Sequence, residues 1–331
     1  MSGMSHRALA LALAGTLVST AAAAQTISLA TDRAGTTYNA VGAGMAKVIT
    51  EGSNVRVIVR PYAGPDAYME QLDAGEVQIA TQSGSSAYVS YQGDNRQKKA
   101  YKNIRLLRAG DGGLYLGFIV LKDSGIKTVA DLKGKRVASD FGGHAVISRS
   151  IAGGLATAGL AWKDVNPVPV PGALDGPAAL DAGRVDASWA SLGQPIVREI
   201  HAKKGVRYLG FEYSPKNVAT LKDMIYPGVS LAPVKANPDV GVENDIHMIA
   251  YDALLIGHKD VDAATVKAVL TALWEKTDEL VKIHRGLSGF THDAAVTTSP
   301  AVPYHPAAIE FYKSKNLWTA DAEAGNKKVM N

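Results

Sequence analysis

The sequence predicts an α/β protein made of two similar units. Short β-branched segments alternate with segments whose apolar residues recur at helical spacing. The order strand, glycine turn, helix, strand, helix, strand occurs near the start of the chain and again in its middle. Because this alternation is typical of parallel sheets with right-handed crossovers, we expect two α/β lobes.

The first unit is predicted between residues 26 and 81. Strands are expected at 26–30, 55–59 and 77–81, with a glycine turn at Gly35 after the first. Val41, Met45, Val48 and Ile49 then recur at helical spacing, and residues 66–73 form a second helix that Gly75 ends.

The second unit begins with a long strand at residues 115–121. The remaining expected elements are a short helix at 129–132, a strand at 135–139, a helix opened by Gly142-Gly143-His144, a strand at 165–170, a helix at 177–182 and a strand at 185–190. Residues 203–247 are less regular, and we expect loops and short helices there. They precede a strand at 250–256, an amphipathic helix around 266–274 and a short helix at 308–312.

The composition excludes several classes of function. The chain has 331 residues, 47% of them hydrophobic and 20% charged, with a formal net charge of +4. It has no long Lys/Arg block, so no nucleic-acid partner is predicted. The absence of cysteine removes thiol nucleophiles and iron–sulfur clusters, and the histidines lack zinc-motif spacing. We therefore predict no metal, no cofactor and no enzyme activity.

The first 24 residues have the layout of a secretory signal peptide. His6 and Arg7 precede an apolar run at 8–18, and four alanines at 21–24 offer an A-x-A cleavage site before Gln25. The alternative is a membrane anchor, but the run is shorter than the about 20 residues that span a bilayer. We expect residues 1–24 to be cleaved and the mature protein to be exported and soluble.

Two glycine turns are the first candidate binding residues. Gly35-Thr36-Thr37 and Gly142-Gly143 each lie between a strand and a helix. Amides at a helix N-terminus bind anions, although either turn alone is also compatible with an ordinary strand–helix connection. Their matching positions in two units favour a small anionic ligand held between two lobes.

Other candidates follow strand ends. Gln82 and Ser83 come after the third strand, Gly64 after the second, and Trp189 ends the last strand of the second unit. The alternatives are a solvated Ser-rich loop and a plain core tryptophan. His144 opens a helix, where its imidazole could form a hydrogen bond or pair with a carboxylate. Because the dipole disfavours a cation there, we expect it to be neutral, and the alternative is a turn residue that faces solvent.

Several segments resemble the TAXI-type solute receptors of tripartite ATP-independent periplasmic (TRAP) transporters. They cover nearly the whole mature chain: Gly35-Thr36-Thr37-Tyr38, LDAGEVQIATQS at 72–83, VADLKGKRV at 129–137, LDAGRVDA at 180–187 and VPYHPAA at 302–308. The resemblance implies a type II periplasmic binding fold, in which two α/β lobes are joined by hinge strands. Lobe I is expected at 25–117 plus 252–331 and lobe II at 118–251.

The resemblance also implies a function. A periplasmic receptor would capture a small carboxylate, such as glutamate or 2-oxoglutarate, by lobe closure and deliver it to the membrane permease subunits of an ion-driven TRAP transporter. The implied ligand-binding residues are Gly35, Thr36, Thr37, Tyr38, Gly64, Gln82, Ser83, Gly142, Gly143, His144 and Trp189.

The turns at Thr36 and Gly143-His144 depart from the family's usual residues, so the ligand stays open. The alternatives are a receptor of an ABC transporter for a sulfonate or thiamine precursor, a ligand-presenting sensor, and a periplasmic enzyme on the same scaffold.

Overall fold

The structure is a computed structural model that describes residues 25–94 and 97–330. The predicted signal peptide, residues 1–24, lies outside the described residues. The strands are β1 (Gln25–Asp32), β2 (Val55–Tyr62), β3 (Ile79–Ser83), β4 (Ile104–Leu121), β5 (Arg136–Ser139), β6 (Asn166–Pro169), β7 (Ser188–Ser191), β8 (Val206–Tyr208), β9 (Ser230–Val234) and β10 (Ile246–His258).

The helices lie on both sides of these strands and connect them. They are α1 (Thr37–Gly52), α2 (Pro65–Asp73), α3 (Gly84–Gln92), α4 (Ala145–Ala156), α5 (Asp175–Asp181), α6 (Pro195–Lys204), α7 (Pro215–Met224), α8 (Ala263–Glu275), α9 (Thr277–Ile283), α10 (Pro306–Ser314) and α11 (Ala320–Met330). Among the described residues, no helix combines the length and the apolar character that crossing a bilayer requires.

One mixed sheet runs through the molecule in the order β2-β1-β3-β10-β4-β7. β1 pairs in parallel with β2 and with β3, which confirms the predicted parallel first unit. β10 lies antiparallel between β3 and β4, and β8 and β9 extend the sheet from β4 and β10. β5 and β6 form a separate parallel pair.

Two hydrophobic cores divide the chain into two lobes. The core of lobe I is drawn from residues 27–109 and 253–312, and the core of lobe II from residues 114–251. β4 and β10 pass from one core to the other, so they connect the lobes. The predicted α/β architecture with two lobes and connecting strands is confirmed.

The third strand lies two residues later than predicted, and the helix that follows it was not predicted. β3 spans Ile79–Ser83 instead of 77–81, so Gln82 and Ser83 end the strand and do not follow it. Residues 84–92 form α3, in which Ser85, Ser86 and Ser90 are buried. Because these core positions are serines, the hydropathy pattern did not show a helix. α6, α9 and α11 were also missed, whereas α7 lies within 203–247, where short helices were expected.

α1 is fixed closely against the sheet, which positions its N-terminus. The Thr36 hydroxyl caps the helix by accepting a hydrogen bond from the amide of Asn39 at 3.2 Å. A Cβ at Gly42 would lie 2.3 Å from Cγ2 of Thr31 on β1, so only glycine permits this approach. The first turn of α1 therefore stands at the carboxyl end of β1.

Arg108 on β4 is a buried cation that holds three segments of lobe I together. It is 1% exposed, and its guanidinium donates to the carbonyl oxygens of Leu273 at 2.7 Å and Phe290 at 2.6 Å, and to the Thr277 hydroxyl at 3.2 Å. These oxygens belong to the end of α8, the start of α9 and the following loop. One side chain thus bonds to buried acceptors of all three segments, and the Thr277 hydroxyl shares the carbonyl of Leu273 with it at 2.9 Å.

We expect Arg108→Ala to lower the free energy of unfolding by about 2–4 kcal/mol, since it takes from the buried carbonyl oxygen of Phe290 its side-chain donor and from that of Leu273 one of two side-chain donors. Chemical denaturation would measure the change. Arg105→Ala on the same strand is the matched control, because that side chain bonds only to carbonyls nearby in sequence. A loss for Arg108→Ala no larger than that of the control would contradict this assignment.

Candidate functional site

A cavity of about 60 Å³ lies where the two lobes meet. Its polar lining comes from both sides and is formed by Asp32, Thr36, Thr37, Tyr38, Ser83, Ser86, His144, Trp189, Ser191, Gln194 and Tyr251. Its apolar lining includes Leu114 and Leu116 of β4 and Val146 and Ile147 of α4. The connecting strands, together with both lobes, therefore enclose it.

Four helices begin at the cavity. Their N-caps are Thr36 for α1, Ser83 for α3, His144 for α4 and Gln194 for α6, and all four residues line it. The N-terminus of a helix carries partial positive charge and unpaired amides, which favour electronegative groups. None of the described residues that line the cavity is a lysine or an arginine.

Asp32 and His144 meet inside the cavity from opposite lobes. Nε2 of His144 lies 3.0 Å from Oδ2 of Asp32, and the two residues are 6% and 4% exposed. Burial lowers the pKa of His144, but the charge of Asp32 and the hydrogen bond to it outweigh burial, so the pKa is raised. The structure thus shows the pairing with a carboxylate that was considered for His144, and the raised pKa favours the cation, in contrast to the expected neutral ring.

Four buried polar atoms at the cavity make no hydrogen bond. They are Oδ1 of Asp32, the hydroxyl of Tyr38, Nδ1 of His144 and Nε1 of Trp189. The Ser83 hydroxyl is close enough to lower the pKa of Tyr38, although burial, the largest effect, raises it well above its ordinary value. Buried polar groups in folded proteins are nearly always paired, so four unpaired atoms on residues that line one cavity are unused hydrogen-bonding capacity beside it.

The start of α4 is bound by a turn of lobe I. The amide of Ala145 donates to Oδ2 of Asp66 at 3.0 Å, and the amide of Asp66 donates to the carbonyl of Gly143 at 3.2 Å. A Cβ at Gly64, whose φ is +154°, would lie 2.4 Å from that same carbonyl oxygen. The carboxylate that caps the N-terminus of α4 is thus the side chain of Asp66, which belongs to the protein itself.

Further contacts join the lobes around the cavity. The hydroxyls of Thr37 and Ser191 are 2.7 Å apart, and Arg33 pairs with Asp175 at 2.6 Å. Arg149 of α4 pairs with Asp94 beyond α3. The described arrangement is therefore a closed one, in which each lobe contributes to a shared boundary.

The structure brings six of the predicted site residues to the cavity: Thr36, Thr37, Tyr38, Ser83, His144 and Trp189. The other five are not among its lining residues. Gln82 contacts the hydroxyl of Tyr68 at 3.3 Å, and Gly35 faces Leu174. Gly64 and Gly143 meet each other, and Gly142 approaches the carbonyl of Pro171. A ligand role for these residues stays a prediction.

Sequence reasoning missed Asp32, Ser191, Gln194 and Tyr251. A signal existed for Asp32, because it ends β1 directly before the glycine turn, and polar residues at strand ends were considered elsewhere. Ser191 ends β7 in the same way. Within the described residues, no group of three or more His, Cys, Asp or Glu is placed to hold a metal ion.

Comparison with known proteins identifies both a family and a fold. A model described as the NMT1-like family matches residues 29–315. A Bordetella bronchiseptica RB50 protein matches with a TM-score of 0.54 and 16% identity over 92% of this chain and 98% of its own. A structure described as a periplasmic transporter matches with a TM-score of 0.54 and 13% identity over 94% and 98%.

A third structure is the alkanesulfonate-binding protein SsuA from Xanthomonas axonopodis pv. citri bound to MOPS. It matches with a TM-score of 0.50 and 15% identity over 90% of this chain and 93% of its own. At these identities the likeness establishes the fold, an α/β fold of the two-lobed periplasmic binding type.

The Asp32–His144 pair predicts a pH dependence. Because the folded-state pKa of His144 is raised above its ordinary 6.5, the pair stabilises the closed protein fully below about pH 6.5 and loses that effect as pH rises through the raised pKa. Thermal denaturation of the wild type and His144→Gln across pH would show it.

The quantity to compare is the difference in stability between the two proteins. His284 and His305, whose pKa values burial lowers, act in the opposite direction in both proteins and cancel in that difference. A difference that grows as pH increases above 6.5 would contradict the pairing.

Gly64→Ala should hinder closure of the lobes, because its Cβ would collide with the carbonyl of Gly143. We expect a larger radius of gyration by small-angle X-ray scattering, with the secondary structure unchanged. Gly125→Ala is the control, since that glycine also has a positive φ, +76°, but has nothing within 4 Å of the added carbon. Equal radii for the two variants would count against the contact.

Proposed function

The chain belongs to the NMT1-like family, and we propose that it is an exported receptor of a transport system, which holds a small solute with an acidic group between its lobes and presents it to a membrane permease. The observation that carries the proposal is the cavity at the lobe boundary, where four unpaired polar atoms from both lobes converge. A solute that bonds to both sides stabilises the closed form selectively, and closure around a ligand is the usual motion of two-lobed proteins.

The acidic group is supported by the helix N-termini at the cavity. α1, α3 and α6 direct their first turns toward it, and the indole nitrogen of Trp189 is a donor without an acceptor. The N-terminus of α4 contributes less, because Asp66 already accepts from Ala145. A carboxylate or a sulfonate would accept hydrogen bonds from such donors.

The size of the cavity favours a compact solute. A volume of 60 Å³ corresponds to about four or five water molecules when one probe-sized sphere is counted for each. A longer ligand of the kind that TAXI receptors bind would need the lobes to stand further apart than they do here.

Two kinds of permease are candidates. The fold shared with an alkanesulfonate-binding protein favours an ABC-type importer of a sulfonate. The segments that resemble TAXI receptors, VPYHPAA at 302–308 among them, favour an ion-driven TRAP permease and a carboxylate. A neighbouring gene for an ATPase or for an ion-coupled permease would distinguish them. The similar structures are described as a binding protein and a transporter, which supports binding over catalysis.

Calorimetry with a panel of compact carboxylates, amino acids and sulfonates tests the proposal. We expect at least one to bind the wild type. Trp189→Phe should weaken that binding about tenfold, since the buried indole donor is lost while an aromatic side chain is kept. Trp162→Phe is the matched control, because Trp162 is half-buried against the core of lobe II and is not part of the cavity lining. The absence of any heat or thermal shift across the panel would refute the proposal.

A further inference from the structure

We propose that Asp32 accepts a hydrogen bond from an ammonium group of the ligand, so that the ligand is a compact zwitterion, an amino carboxylate or amino sulfonate. This inference rests on the proposed receptor function and narrows its ligand class. It starts from the unequal surroundings of the two carboxylate oxygens of Asp32.

Oδ2 of Asp32 is paired with His144 at 3.0 Å, whereas Oδ1 is buried at the cavity with no partner. An ionised carboxylate only accepts hydrogen bonds, so Oδ1 needs a donor. An acidic ligand without a donor would place its own lone pairs toward Oδ1 and leave that oxygen unsatisfied, at the full desolvation cost. A ligand N–H or O–H removes the mismatch.

Lobe II presents the opposite requirement. Nε1 of Trp189 is a donor only, and it is buried at the same cavity without an acceptor. From lobe I, the N-termini of α1 and α3 add partial positive charge at the same cavity, which also favours an acceptor group. A small molecule that complements both sides of the cavity therefore carries one acceptor group and one donor group.

The net charge of the cavity lining favours an ammonium as the donor group of the ligand. With Asp32 ionised, the Asp32–His144 pair carries no net positive charge in either protonation state of His144, and no lysine or arginine is found among the described lining residues. Arg33, nearby in sequence, is paired with Asp175 outside the cavity. A purely anionic ligand would thus bury an uncompensated charge, whereas a zwitterion adds none.

Titration calorimetry with two matched series tests the inference. One series is taurine, isethionate and ethanesulfonate, and the other is β-alanine, 3-hydroxypropionate and propionate. Within a series, only the group at the far end changes. We expect the amine to bind about tenfold or more tightly than the unsubstituted acid, because one charged hydrogen bond is gained.

Three variants connect the preference to Asp32. Asp32→Asn should bring the ratio of affinities between amine and unsubstituted acid close to one. Asp175→Asn, which removes another acid at the lobe boundary that is not part of the cavity lining, should leave the ratio unchanged. His144→Gln keeps Asp32 and should keep the preference for the amine, which tests the inference even if Asp32→Asn does not fold.

The outcomes separate this inference from the function on which it rests. Equal affinities within a series, or a wider panel in which only acids without an amine bind, would overturn the inference and leave the receptor function standing. A failure of every compound in both series and in the wider panel would overturn the receptor function, and the inference with it.

Discussion

The contact between Asp32 and His144 is the interaction on which the organisation of the site depends. It joins the end of β1 in lobe I to the start of α4 in lobe II, at 3.0 Å and out of reach of solvent. It occupies Oδ2 of Asp32 and Nε2 of His144, so Oδ1 and Nδ1 are the atoms of this pair that remain without a partner. Because both partners lie in the cavity lining, the contact between the lobes is also part of the candidate site.

The rest of the boundary is built so that this contact can form. β4 and β10 run through both cores and hold the lobes in register. Asp66 caps α4 through the amide of Ala145, which orients the helix that carries His144. Gly64 has no side chain, so its turn in lobe I can approach the carbonyl of Gly143 before α4. In both of these contacts, a residue of lobe I positions an element of lobe II.

The sequence was informative where structure is local. β-branched residues at 55–59 and the apolar repeat in α1 predicted β2 and α1, since burial of one face dictates that spacing. α3 was not predictable in this way, because Ser85, Ser86 and Ser90 occupy buried positions. The pair formed by Asp32 and His144 spans 112 residues, and no local pattern encodes a contact between such distant partners.

The two glycine turns show why a matched pattern need not imply a matched role. Both precede a helix, and both N-termini favour negative charge. At the first, Thr36 caps α1 with its own hydroxyl, and the following residues face the cavity. At the second, Asp66 of the other lobe supplies the carboxylate, so the preference for an anion is met within the protein. The same electrostatic property therefore faces the cavity in one lobe and holds a contact between the lobes in the other, and the position of Asp66 distinguishes the two.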